Sequence, residues 1–222
     1  MSQNKTNFAV PLAFVGMMFF AIGFALGINS FLIPVLKGAL SLPSGVAYLL
    51  LAATFVPFLI FGYPASATIA KIGYKRTMAL SFLIFAVAFI LFVLSAKLEN
   101  FILFLIASFV SGAANAYLQA SVNPYITILG PIESAAKRMS IMGICNKLAW
   151  PVAPLFFALV VADQTNVQTS DLYLPFYIII GVFLLLGIIS LMAPLPEVKA
   201  AGEDESDTAN CPYAANKTSI WQ

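Results

Sequence analysis

Apolar residues fall into six long stretches, with the charges and turn formers gathered between them. The stretches are residues 8–33, 46–70, 77–96, 101–129, 139–162 and 172–193, and the breaks are residues 37–45, 71–76, 97–100, 130–138 and 163–171. A helix needs about 20 apolar residues to cross the hydrocarbon core of a bilayer, and each stretch has that length. Barrel strands would alternate apolar and polar positions over about 10 residues, and no such alternation occurs. The pattern predicts an all-α integral membrane protein with a six-helix transmembrane bundle over residues 1–195 and a polar linker over residues 196–222.

Composition supports this reading and removes other classes. Of the 222 residues 61% are hydrophobic and only 9% charged, against about 25% charged in soluble domains. The net charge of +2 is spread thinly between apolar runs, so no basic surface for nucleic acid is expected. The two cysteines, Cys145 and Cys211, imply no disulfide framework. There is no histidine, and all nine acidic residues lie outside the six stretches. An acid/base pair inside the membrane would have to come from Lys, Tyr or Ser alone, so an enzyme is not expected, nor is a metal or cofactor. The first apolar run is too long for a signal-peptide core and has no small-residue cleavage site, and it reads as a retained span.

Six spans put both termini on one side. Lys5, Lys71, Lys75, Arg76, Lys137, Arg138, Lys199 and Lys217 share that side, against Lys37 and Lys97 on the other, so it is expected to be cytoplasmic. The tail from Glu197 turns polar and acidic, and residues 219–222 turn apolar again, either as the approach to a seventh span or as a frayed end.

Residues 112–154 place amides and a lysine in lipid-like sequence. Asn115, Gln119 and Asn123 are spaced by four and fall in a row on one helix face. An uncharged amide row suits a hydroxyl-rich neutral solute, since each amide both donates and accepts. It suits interhelical hydrogen bonding equally well. Pro124 leaves the Ala120 carbonyl without its helical donor. In the next span Asn146 and Lys147 follow Arg138 by eight and nine residues, about 12–13 Å along a helix. At that depth Lys147 either faces a cavity or snorkels back to the interface. Pro151 and Pro154 interrupt the outer half of the same span. In the first span Gly23 and Gly27 permit close helix approach, and Asn29 and Ser30 precede Pro34 as cavity or capping candidates.

The basic loop around Lys71, Gly73, Lys75 and Arg76 resembles the cytoplasmic loop of the major facilitator superfamily, although Ala70 and Ser66 stand where an acid and a glycine are usual. A more specific resemblance lies in QASVNPY at residues 119–125, LGP at 129–131, ESAAKR at 133–138 and the phrase IMGICNK. These are similar to the fucose/glucose/galactose permease family, in its bacterial glucose/galactose transporter branch, over the amino-terminal half of a twelve-helix carrier.

The resemblance implies a secondary transporter that carries a neutral hexose inward through a bacterial inner membrane by alternating access. The sugar would be held between this bundle and a second six-helix half. Gln119, Asn123 and Asn146 would bind it, with Asn29 and Asn115 as further candidates. Lys71, Gly73, Lys75, Arg76, Lys137 and Arg138 would form the cytoplasmic gate. The carboxylates tied to proton coupling in the fucose branch fall on Ser30 and Gln119 here, and neither can titrate. Lys147 is then a fixed cation in the place of a coupling ion, or itself a proton carrier, with proton or sodium as the coupling cation. Other expectations left open are another neutral solute such as fucose, export instead of uptake, and a non-transporting structural membrane protein.

Overall fold

A computed structural model describes residues 9–129, 132–161 and 167–192. The polar tail, Lys5, Cys211 and the Gly130-Pro131 pair lie outside the described residues, so the expected linker over residues 196–222 does too. Among the described residues there is no strand, and five helices are long and apolar enough to cross a membrane. They are α1 (Ala9–Ala39), α3 (Leu49–Leu98), α4 (Phe101–Ile128), α5 (Ala135–Val160) and α6 (Tyr173–Met192), with a one-turn helix α2 (Ser44–Ala47) before α3. Short 3₁₀ turns, Ile132–Ser134 and Thr169–Leu172, lead into α5 and α6.

The count of five helices, where six were expected, comes from one residue. The second and third expected spans join without a loop in the 50-residue α3, which if straight would be about 75 Å long, more than twice the hydrocarbon core. Gly73, at φ 82° and ψ 168°, is its one non-helical residue. That conformation is open to glycine and strained for a side chain. The chain reverses there: α4 touches both arms, with Gly112 against Thr54 of the first arm and Phe104 against Phe92 of the second. Near the bend, Tyr74 meets Tyr125 at 6.0 Å. The expected loop over residues 71–76 is therefore a hairpin bend of one residue.

The first helix also outruns its expected end. It continues through Pro34 to Ala39, because Leu36 on the far side of the proline is fully buried. Packing of that last turn offsets the lost backbone bond, as membrane helices allow. At the turn between α3 and α4, Asn100 caps α4 by accepting from the Ile102 and Leu103 amides at 2.9 and 3.4 Å.

Lipid tails give no hydrophobic drive to pair helices, so close packing must. On the second arm of α3, Phe82, Phe85, Phe89 and Phe92 recur at three and four and form a stripe against α6. Phe85 stacks on Phe183 at 4.7 Å, and Phe92 stacks on Phe176 at 5.5 Å. Helices α1 and α5 run parallel and meet through glycine. A Cβ on Gly23 would lie 1.9 Å from the Asn146 carbonyl oxygen, and one on Gly27 would lie 2.5 Å from that of Trp150. Asn29 links α1 to α4, its Nδ2 donating to the Ser111 hydroxyl at 3.4 Å. These contacts bring α1, α4 and α5 side by side.

Candidate functional site

Where α1, α4 and α5 meet they enclose an open cavity of about 230 Å³. Each helix contributes one stripe. Phe19, Ile22 and Leu26 of α1 form an apolar wall, Gln119 and Asn123 of α4 a second wall, and Gly143, Asn146 and Lys147 of α5 a third. On α1 and α4 the spacings are three and four, and on α5 Asn146 and Lys147 lie three and four residues after Gly143, so each set faces one way. The structure thus brings together four of the candidates, Gln119, Asn123, Asn146 and Lys147, from two helices.

The polar groups are largely uncommitted. No hydrogen bond joins the Gln119 or Asn123 side chain to another described residue, and both are half-buried. Asn146 donates from Nδ2 to the Phe19 carbonyl at 3.0 Å, which locks α5 to α1 and leaves its Oδ1 free of any described donor. Lys147 reaches into the cavity, with its Nζ 5.2 Å from the centre of the Trp150 ring. Chemically the cavity offers amide donors and acceptors, one ammonium and a greasy wall. It has no carboxylate and no nucleophile beside a base. Among the described residues no cluster suited to a metal occurs.

Asn29 and Asn115 sit elsewhere, fully buried between helices and away from the cavity lining. Asn29 donates to the Ala25 carbonyl at 3.1 Å and to Ser111. Its Oδ1, both polar atoms of the Asn115 amide and the Ser108 hydroxyl have no partner. Ser30 turns back on its own helix and donates to the Leu26 carbonyl at 3.2 Å.

Of the basic residues near the bends, Lys71, Arg76 and Lys137 are exposed and Lys75 is half-buried. Arg138 is buried and differs in role. Its Nε and Nη2 donate to the Ile126 and Thr127 carbonyls at 3.2 and 3.1 Å, and its Nη1 donates to the Ser134 hydroxyl. It satisfies carbonyls that the end of α4 leaves bare and sets a positive charge at that helix's negative pole.

The sequence reading missed Gly143, Trp150 and the α1 wall. Gly143 was signalled by its spacing, three and four residues before Asn146 and Lys147. The α1 wall carried no signal, because Phe19, Ile22 and Leu26 look like any lipid-facing residues.

Residues 14–221 match the family model described as Major Facilitator Superfamily. The chain belongs to the major facilitator superfamily. It is therefore a multi-pass membrane protein, as its apolar helices require. It is 31% identical over 226 residues to the glucose/galactose transporter of Brucella abortus biovar 1 (strain 9-941), an alignment covering 100% of this chain and 53% of that one. It is 23% identical over 233 residues to the L-fucose-proton symporter of Escherichia coli K12, over 96% of this chain and 53% of the symporter. Among solved structures, the facilitator transporter FucP in the outward conformation superposes with a TM-score of 0.74 at 21% identity, covering 96% of this chain and 56% of that one. The E. coli fucose:proton symporter carrying N162A superposes at 0.69 with 23% identity, over 85% and 50% of the two chains. The chain spans about half the length of the curated relatives it matches.

Proposed function

We propose that this bundle is the amino-terminal half of a secondary permease that takes up a neutral hexose, glucose or galactose, by alternating access. The observation that carries the reading is the cavity itself. The uncommitted amides of Gln119 and Asn123 and the free Oδ1 of Asn146 face an apolar wall across a space of about 230 Å³. A pyranose has the matching character, with hydroxyls around its edge and C–H groups on its faces. A few placed polar groups on an apolar surface are what orient such a ligand. Gln119 and Asn123 exchange hydrogen bonds with adjacent hydroxyls, the Asn146 oxygen accepts from a third, and Lys147 donates to a hydroxyl oxygen. A second six-helix half closes the cavity from its open side. The names of the relatives support sugar as the cargo.

In this half, coupling follows different chemistry from a carboxylate relay. The acidic residues among those described are Glu99, Glu133 and Asp171, all at helix ends, so a proton or sodium ion that drives uptake is not held by an acid in these spans. Lys147 supplies the fixed positive charge of the cavity. Lys71, Lys75, Arg76 and Lys137 keep their ends of the helices on the cytoplasmic face of the bacterial inner membrane, with both termini on that side. The Gly73 bend and the Arg138 cap stiffen the same face as part of the gate. Fucose is the alternative sugar, supported by the name of the relative called an L-fucose-proton symporter.

Equilibrium binding of labelled glucose to the intact protein in detergent tests the proposal, with unlabelled galactose, fucose and a non-sugar of equal size as competitors. Displacement by galactose and not by the non-sugar is expected. Binding of none of the sugars sinks the hexose reading, and preferential displacement by fucose replaces the cargo.

A further inference from the structure

We propose that Trp150 is a positioning residue of the cavity: its indole face holds the Lys147 ammonium at the wall and so sets where that cation meets a bound sugar. The inference deepens the hexose reading and rests on it for the sugar alone. Its basis is the contact of 5.2 Å between Lys147 Nζ and the Trp150 ring centre. A tryptophan face is the best aromatic partner for an ammonium, and the attraction grows as water is excluded.

Three observations make the contact more than incidental. First, among the described residues Lys147 has no acid to pair with. The acidic residues among those described are Glu99, Glu133 and Asp171, all at the ends of helices, so the ring is the partner the cation has. Second, the two ends of the pair differ in freedom. Lysine is a compact charge on a flexible stem, whereas Trp150 is half-buried against the apolar core. Its backbone is wedged on α1, where a Cβ on Gly27 would meet the Trp150 carbonyl oxygen at 2.5 Å and its Cα at 3.2 Å. Pro154 lacks the amide that would otherwise bond that carbonyl, so the carbonyl is bare where α1 approaches. A fixed ring thus tethers a mobile cation. Third, the tether does not use up the cation. An ammonium on a π face still has N–H groups to donate, and hydroxyl oxygens of a neutral polyol are the acceptors that take them. A cationic solute is repelled by the same charge, so the pair also selects against it.

A double-mutant cycle in the intact protein separates positioning from packing. In proteoliposomes, Trp150→Leu is expected to raise the KM for labelled glucose about tenfold with kcat nearly unchanged, and Trp150→Phe, which keeps a π face, only about threefold. With Lys147→Met already present, Trp150→Leu should add nothing. An equal KM increase in both backgrounds makes Trp150 a packing residue and overturns the proposal. A second arm needs no sugar: reductive methylation of the folded protein, read at Lys147 by mass spectrometry. The rate should rise several-fold in Trp150→Leu and little in Trp150→Phe. Equal rates in wild type and both variants overturn the tether even if glucose is carried. A raised rate with no glucose bound by the wild type keeps the tether and discards the sugar. If Trp150→Leu does not fold, Trp150→Phe and Lys147→Met carry the same comparison.

Discussion

Replacing Gly23 by alanine perturbs the cavity from behind, pressing on the backbone of Asn146 rather than on the side-chain amide that faces the cavity. The new Cβ would lie 1.9 Å from the Asn146 carbonyl oxygen, 2.8 Å from its carbon and 3.1 Å from the Ala149 Cβ. Two of the three obstacles are backbone and cannot rotate away. Helices α1 and α5 must therefore part locally by about 1.5 Å, from 1.9 Å to the 3.4 Å at which ordinary contact begins. The bond from Asn146 Nδ2 to the Phe19 carbonyl, now 3.0 Å, would stretch beyond hydrogen-bond range. Overpacking of this kind costs about 1–3 kcal/mol, and the lost bond adds about 0.5–1.5 kcal/mol. A folded but less stable protein is expected. The functional effect should be larger, because a displacement of about 1 Å at a positioned site can cost up to about a hundredfold. Labelled-glucose binding and thermal unfolding of the intact protein would read both. Gly62→Ala is the control, since its Cβ would meet nothing within 4 Å. Wild-type affinity in Gly23→Ala would refute the claim that this glycine contact holds Asn146 in place.

Other substitutions probe single features. Gln119→Ala and Asn123→Ala should each weaken sugar binding by about tenfold, the loss of one or two hydrogen bonds, while leaving the melting temperature unchanged because neither amide bonds another described residue; a large drop in melting temperature would mark them as interhelical braces. Asn115→Leu should raise thermal stability, since it replaces a buried amide with two orphaned atoms by an apolar group of similar size; a fall in stability together with a loss of sugar affinity would put Asn115 in the binding site. Arg138→Gln should destabilise by about 1–3 kcal/mol by leaving the Ile126 and Thr127 carbonyls bare, seen as a lower melting temperature, and an unchanged one would remove the capping role. Lys147→Met should slow uptake by removing the fixed positive charge of the cavity, and an unchanged rate would exclude any role for that cation.

Much of this architecture was legible in the sequence, and the exceptions have physical causes. The amide row on α4 stood out because polar side chains every four residues in apolar sequence must share a face. The depth of Lys147 followed from the rise of a helix. Asn29 and Asn115 have the same residue type and suitable spacing, yet they lie in a packed seam. Sequence gives a direction around the helix axis but not which neighbour fills it. The bend at Gly73 was read as a loop because charges and a glycine announce a break without saying how short it is. Pro34 suggested an end to α1, and the burial of Leu36 outweighed it. The α1 wall was invisible for the opposite reason, since Phe19, Ile22 and Leu26 carry no feature that separates a cavity face from a lipid face.

Counterflow of labelled glucose or galactose into proteoliposomes of the intact protein tests the central claim most directly. Vesicles preloaded with unlabelled sugar should accumulate label transiently, and Gln119→Ala and Asn123→Ala should slow that accumulation in step with their loss of binding. No accumulation in vesicles whose protein is folded and correctly inserted, or accumulation indifferent to both substitutions, would contradict a hexose path lined by these amides.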